Sequence, residues 1–331
     1  MTPLKIRAHI HEFLSSRNFL EHFPATLSSV PCGAAATPFV TESSELGKLN
    51  LIIAPEIQLK LCLIEDNCRH NGVYSICNVF RNEGVDRTHY PEFSMCEFYQ
   101  IYQDYLGLIS VTEELLSSMV LAILNTYKHE YHTDDLQTIS IDFQPPYKQI
   151  YVIPELEKEM NCKLPVPGDL HTEESRIFLS DLCDKFDVSC SAPRTSARLV
   201  DKLIGKFIEP KCIQPTFLLE HPLIMSPLAK EHPTKPGLSA RFELFVAATE
   251  IMNAYSELTD PVEQRQRFVQ QSSDRKEGDG EAQVLDENFI AALDLGMSPA
   301  AGCGIGIERL AMLLTNSSNI KEVIRHPVTK S

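Results

Sequence analysis

The stretch RFELFVAATEIMNAYSELTD, residues 241–260, sets carboxylates, an amide and a phenol among apolar residues at strand spacing. Read as two strand segments with a period of two, it puts Arg241 and Glu243 on one face and Asn253, Tyr255 and Glu257 together on another. Phe242, Leu244, Val246, Ile251 and Met252 fill the positions between them. A strand that is wet on one side needs no such combination. Carboxylates, an amide and a phenol together suit a floor that holds a cation.

Two other groups have chemistry to offer. Residues 73–83 and 91–105 alternate as strands: Val73, Ser75, Cys77, Val79, Arg81 and Glu83 fall on one side of the first, and Phe93, Met95, Glu97, Tyr99 and Ile101 on one side of the second. With the polar loop 84–90 between them, which holds Asp86, Arg87 and His89, they read as a long antiparallel hairpin. Near the C-terminus, Gly302, Gly304 and Gly306 precede a helix with Arg309 on its first turn. No Lys-Ser/Thr follows, so this is not a Walker loop, and its position does not suit a dinucleotide fingerprint. An arginine at a glycine-lined strand-to-helix junction suits a phosphate clamp. Gly33 opens a run of small residues that would let a ligand approach the backbone, or simply turn the chain.

These residues require a scaffold, and the spacing predicts one. Ile6, Ile10, Phe13 and Leu14 mark an amphipathic helix over 4–17. Residues 19–36 read as short extended pieces, 49–55 as a buried strand followed by Glu56, and 65–72 as a polar loop. A helix is expected at 106–127, a polar His-rich loop without metal-ligand spacing at 128–136, and a strand at 139–143. Helices near 154–160, 173–186 and 193–208 make a small helical insertion, roughly 146–212, between two sheet-forming halves. A strand at 215–220 leads into 241–260, and Asp260-Pro261 starts a charged helix through Gln271. Residues 272–282 read as a loop and 286–295 as a helix.

Composition bounds the rest. The 331 residues, 43% apolar, can bury a large core. Ten cysteines carry neither a CxxC pair nor zinc spacing, which fits reduced thiols and a cytoplasmic location. No apolar run of about 18 residues is expected to cross a membrane, and the N-terminus resembles neither a signal peptide nor a transit segment. A net charge of −15 argues against a surface that attracts nucleic acid everywhere, so any RNA contact would be local.

FRNEGVDRTHYPEF (80–93) and GIGIERLAMLL (304–314) resemble the second and third signature motifs of class II aminoacyl-tRNA synthetases. RFELFVAATEIMNAYSELTDPVEQRQRF (241–268) is similar to the lysine-specific form, and PRTSARLVDKLIG and HPLIMSPLAK to the eukaryotic lysyl-tRNA synthetases. The similarity runs across essentially all 331 residues. It implies an α+β fold, the class II core, in which a mixed, mainly antiparallel sheet is flanked by helices. Residues 1–331 would form one catalytic domain with the helical insertion, and no anticodon-binding OB-fold domain is expected within it.

The implied reaction is that of a lysine--tRNA ligase. ATP and L-lysine give lysyl-adenylate, and the lysyl group passes to the acceptor end of tRNA. By resemblance, Arg81 and Arg309 are the catalytic residues, and Arg81, Glu83, His89, Phe93, Glu243 and Arg309 bind ATP. Gly33, Glu56, Arg81, Tyr99, Asn253, Tyr255 and Glu257 bind lysine, with Glu257 and Tyr99 on its ε-ammonium. Glu243 and Glu250 bind Mg2+. A homodimer is implied, and no membrane association. Departures from the family pattern fall at Ala25, Ile52, Cys77-Asn78, Tyr90, Cys303 and Glu308. Two other readings stand beside it: a paralogue that delivers the activated amino acid to a non-tRNA acceptor, and a catalytically impaired interaction protein.

Overall fold

The structure, a computed structural model, describes residues 2–328 apart from 32, 35, 67, 68, 134–136, 277, 279 and 281. Cys32, Cys68 and parts of the expected loops at 65–72, 128–136 and 272–282 therefore lie outside the described residues. Helix α1 (Thr2–Ser15) buries the predicted stripe of Ile6, Ile10, Phe13 and Leu14. It leads to β1 (Phe19–Glu21), then to a small sheet of β2 (Leu27–Ser28), β3 (Val40–Ser43) and β4 (Gly47–Leu51).

The buried segment at 49–55 is strand only to Leu51; Ile52, Ile53 and Ala54 continue it as buried coil. Next comes a helix that the spacing does not announce, α2 (Glu56–Asp66). Its sequence EIQLKLCLIED is apolar on more than one side, because sheet and helices cover it together, so no amphipathic stripe stands out.

The hairpin forms as predicted from β5 (Gly72–Phe80) and β6 (Glu92–Ile101). Its register pairs Val73 with Tyr99, Ser75 with Glu97, Cys77 with Met95 and Val79 with Phe93, so the two predicted faces are one face. Helix α3 (Tyr105–Leu124) starts at Asp104, whose carboxylate accepts from Gly107 N at 2.8 Å, and ends at Asn125 in the left-handed conformation. Contrary to the expectation from apolar runs, α3 is long and apolar enough by length and composition to cross a membrane. Here that apolarity is spent on the core, where Leu108, Leu115, Leu116, Met119 and Val120 are buried.

The expected loop at 128–136 instead holds a strand, β7 (Lys128–His132), paired antiparallel with β8 (Thr138–Asp142). His129, expected in that loop without a role, is buried with Nε2 2.8 Å from the Leu313 carbonyl. Strand β9 (Lys148–Tyr151) roots the insertion, and α4 (Val152–Met160), α5 (Glu173–Lys185) and α6 (Ser196–Phe207) pack around a second core of Leu156, Leu179, Leu199, Leu203 and Ile204. The chain returns through β10 (Thr216–Leu219), β11 (Arg241–Val246) and β12 (Thr249–Ser256). Helix α7 (Pro261–Lys276) runs past the predicted end at Gln271 into the expected loop. Helix α8 (Glu287–Leu293), β13 (Ala300–Gly306) and α9 (Ile307–Thr315) complete the chain.

The main sheet has eight strands in the order β1-β5-β6-β13-β12-β11-β10-β9, antiparallel except for the parallel pairs β1·β5 and β10·β9 at its two edges. Buried residues of α1, α3 and α9 form one core with one face of it. The other face is partly covered by α2, α7 and α8 and keeps an open trough.

Arg241 and Glu243, expected on a different face from Asn253 and Tyr255, do not lie apart from them. The hairpin pairs Arg241 with Tyr255 and Glu243 with Asn253, so all four face the trough. The turn that folds them together places Ala247 and Ala248 at φ 50° and 57°. L-residues resist that region, which suits glycine. Ala248→Gly is expected to stabilise the protein by about 0.5–1 kcal/mol, seen as a higher thermal unfolding midpoint. A lower midpoint would show that the turn does not strain its alanines.

Candidate active site

Strand register rules the trough. One row across the sheet reads Tyr99, Gly302, Tyr255, Arg241, and the next reads Glu97, Gly304, Asn253, Glu243. In both rows β13 contributes glycine, so the floor sinks between strands that carry large polar side chains. A Cβ on Gly302 would lie 2.4 Å from a Tyr99 ring carbon and 2.5 Å from Glu257 Oε1. The same atom on Gly304 or Gly306 would have ordinary contacts. Glycine is therefore demanded by space at one position of the three.

A cavity of about 400 Å³ occupies the trough, lined by Gly33, Glu56, Arg81, Glu83, His89, Phe93, Tyr99, Glu243, Glu250, Asn253, Tyr255 and Arg309. Every predicted site residue reaches it except Glu257, whose side chain is sealed behind the lining.

One end is built for anions. Arg81, just past β5, donates through Nε to the Ile53 carbonyl at 3.3 Å, and its guanidinium carbon lies 5.2 Å from the Phe93 ring centroid. Burial lowers its pKa, against the nearby Glu83, Glu250 and Glu97, so its charge is little shielded by water. Arg309, on the first turn of α9, donates through Nη1 to the Glu250 carbonyl and carboxylate, both at 3.1 Å. Its Nη2 lies 3.0 Å from His89 Nε2. A guanidinium can only donate, so that nitrogen accepts and Nδ1 carries the proton, facing the Asp86 carboxylate 2.9 Å away. The loop 84–90 thus holds Arg309 through the chain Asp86, His89, Arg309.

Between the ends sit Glu243 and Glu250. Glu243 meets Arg241 and, at 3.1 Å, His221 Nε2; burial works against its charge, but these cations hold its pKa at about 2. Glu250 is shifted upward by burial and then by the charge of Glu243, with Arg309 opposing. Arg241 also donates from Nε to Asn253 Oδ1 at 3.0 Å, fixing the amide.

The other end is lined with carboxylates. Glu56 heads α2, and the Tyr255 hydroxyl lies 2.8 Å from both of its oxygens. Gly33, at φ 99°, lies against it: a Cβ there would be 3.2 Å from the Glu56 Cβ. The Tyr99 hydroxyl donates to Glu97 Oε2 at 2.8 Å. Burial and then Glu56 push the Glu97 pKa up to about 8. Glu257, past the end of β12, is pushed up to about 8 by burial, with Lys60 the largest opposing influence and Glu56 adding to the rise. Its Oε2 contacts the Lys60 ammonium, and its Oε1, against Gly302, has no hydrogen-bond partner among the described residues.

Residues 2–330 match the family described as tRNA synthetases class II (D, K and N). The chain belongs to the class II tRNA synthetases. It is 46% identical to the Lysine--tRNA ligase cla4 of Cladosporium cladosporioides over 331 residues, 99% of this chain and 55% of that protein. It is 45% identical to the probable cytoplasmic lysine--tRNA ligase of Encephalitozoon cuniculi, covering 98% and 64% of the two chains. The lysine--tRNA ligase of Pelotomaculum thermopropionicum is 40% identical, with coverage of 99% and 63%. The chain thus spans between half and two thirds of the length of these relatives.

For this class II tRNA synthetase the mainly antiparallel sheet flanked by helices is the catalytic core of the family, as the resemblance implied. Sequence reasoning missed two residues that hold the site, His221 and Lys60, and placed a third, Glu97, on the right face without giving it a role. Glu97 shares its strand face with Tyr99, and that is signal enough to include it. His221, which holds Glu243, opens HPLIMSPLAK, and the resemblance of that stretch is the signal that could have found it. Lys60 was hidden because its helix was not foreseen, although Glu56 and Lys60 stand at the four-residue spacing of a helical ion pair.

Gly302→Ala is expected to destabilise the protein by about 1–3 kcal/mol through overpacking against Tyr99 and Glu257. Thermal unfolding measures the loss, and an unchanged midpoint would refute the close packing of Gly302 on those side chains.

Proposed function

We propose that the chain carries the active site of a lysine--tRNA ligase: it joins L-lysine to AMP, releases pyrophosphate, and passes the lysyl group to the terminal ribose of tRNA. The observation that carries this reading is the segregation of charge in one cavity. Arg81 and Arg309 stand at one end; the carboxylates of Glu56 and Glu97 line the other, with Glu257 sealed directly behind it. A ligand that presents phosphates and a carboxylate to the first end and two ammonium groups to the second fits this arrangement.

In the reaction the lysine carboxylate attacks the α-phosphorus of ATP, a bond forms from carboxylate oxygen to phosphorus, and the bond to pyrophosphate breaks. Both partners are anions, so the barrier is electrostatic as much as chemical. Arg81 supplies a planar fork that spans the carboxylate and the α-phosphate together. Phe93 offers its ring to the adenine and Glu83 an acceptor for the adenine amino group, while Arg309, held by His89, takes the γ-phosphate. Gly33 and Glu56 hold the α-ammonium, Asn253 the carboxylate, and Tyr99 with Glu257 the ε-ammonium, with Tyr255 and Glu97 completing the wall.

Glu243 and Glu250 suit Mg2+, because burial and the charge of Glu243 raise the cost of ionising Glu250 and a hard dication would offset it. Among the described residues no group of three or more His, Cys, Asp or Glu is arranged to hold a metal, so phosphate oxygens would supply the remaining ligands. Mg2+ bound there would neutralise charge on the phosphates. Discrimination against uncharged amino acids follows from the wall: without an ammonium, Glu257 keeps a buried oxygen unpaired.

A homodimer is supported by apolar residues exposed beside the sheet-edge strand β1, namely Leu20, Phe23 and Leu27, with Phe23 81% exposed. A cytoplasmic location is supported by the names of relatives from Encephalitozoon and Vairimorpha.

The test is lysine-dependent exchange of pyrophosphate into ATP. Wild type should exchange, Glu257→Gln should lose lysine activation while keeping ATP binding, and absence of exchange with folded protein would sink the proposal. A second expectation concerns pH. Burial and Glu56 favour a proton on Glu97 that an incoming ammonium must expel, so lysine binding should release a proton and tighten as pH rises toward about 8. Since the folded-state value of Glu97 lies above ordinary carboxylate values, this group favours the empty protein at low pH and loses that contribution as pH climbs through about 8. Calorimetry in buffers of different ionisation enthalpy measures the proton count, and a count of zero at pH 7 contradicts it.

A further inference from the structure

We infer that Lys60 is a positioning residue of the amino-acid subsite: its ammonium sets the net charge of the carboxylate wall to match a ligand with two ammonium groups. The inference rests on the lysine-activating reading. Lys60 is fully buried, one helical turn from Glu56 on α2. Its Nζ lies 2.6 Å from Glu56 Oε1 and in contact with Glu257 Oε2. It therefore joins the carboxylate assigned to the α-ammonium with the one assigned to the ε-ammonium.

The groups facing this ammonium come from every element around it. α2 gives Glu56; β12 and the residues after it give Tyr255, whose ring centroid is 5.7 Å away, and Glu257. α8 gives only the Phe289 ring, at 6.0 Å. β6 adds Glu97, bonded to Tyr99, as a further carboxylate acting on the cluster. Burial opposes the charge of Lys60, but Glu257 and then Glu56 outweigh it and raise its pKa, so it stays an ammonium throughout the working pH range. Fully ionised, Glu56, Glu97 and Glu257 carry three negative charges against this one positive charge; Arg81 also acts on Glu97, but its charge is matched by the carboxylate of the amino acid. The remaining two are what the α- and ε-ammonium groups of lysine neutralise.

Remove Lys60 and the wall holds one charge too many for its ligand. One carboxyl then keeps a proton in the complex, and a neutral acid is a poor partner for an ammonium. Lys60 reaches neither ATP nor the reacting atoms, because the cavity lining excludes it. The effect should fall on lysine alone.

Lysine and ATP binding are measured by calorimetry, and their KM values by pyrophosphate exchange, from about pH 6 to 9. For Lys60→Met the expected result is lysine Kd and KM raised about tenfold or more near pH 7. ATP constants should stay within about twofold, and the midpoint of the lysine-affinity pH profile should move up by about one unit. The double variant Lys60→Met/Glu97→Gln restores the charge count and should bring that midpoint back. It also supplies the comparison if the single variant does not fold.

Equal losses for lysine and ATP, a lysine loss with an unmoved pH midpoint, or a double variant whose midpoint stays high would each overturn the inference. Wild type that binds no lysine overturns this and the parent reading together. Wild type that binds lysine, with Glu257→Gln defective and Lys60→Met unaltered, overturns only the role of Lys60.

Discussion

The cost of burying like charges is the constraint on which the rest of this structure depends. Glu56 and Glu97 are buried at one end of a sheet-floored cavity and Glu257 is sealed just behind it, where water cannot screen them. Each is met by a fixed partner: Lys60 for Glu56 and Glu257, the Tyr255 hydroxyl for Glu56, the Tyr99 hydroxyl for Glu97. In the proposed function, what those partners leave uncompensated is what a cationic ligand neutralises, so that burial which destabilises the empty protein is turned into selectivity.

The scaffold answers that constraint by dividing labour between its two faces. On one side α1, α3 and α9 seal the sheet with an apolar core, so the strands cannot shift register without exposing it. On the other side the same register lines up Tyr99, Gly302, Tyr255 and Arg241, and beside them Glu97, Gly304, Asn253 and Glu243. Packing on the hidden face holds charges to fixed positions on the open one. The arginine-bearing end is fixed differently, by the hydrogen-bond chain from Asp86 through His89 to Arg309. A loop is thereby tied to the helix whose arginine it supports.

Much of this was legible along the chain, and the misses share one cause. The hairpin of β5 and β6 is visible because one side of each strand is packed and the other is not, so period-two alternation survives in the sequence. Arg81, Phe93, Tyr99 and Arg309 can be named because their motifs resemble those of a known family. Helix α2 is invisible because it is covered on several sides, which erases the stripe that periodicity detects. β7 reads as a loop because its polar side chains, including both histidines, obscure its pairing with β8.

The sequence by itself determined which chemical groups are present and the local alternation that sends them to one side of a strand. It also determined the composition of the cores and, through motifs, the family. Only the tertiary structure decided that the two strands of residues 241–256 fold onto each other and share a face. It likewise decided that Gly302 is the glycine that space demands, and that a lysine from a separate helix lies between the carboxylates of Glu56 and Glu257. The reason is physical: periodicity records which side of its own element a residue takes. Charge pairing and close contact depend on distances between elements far apart in the chain.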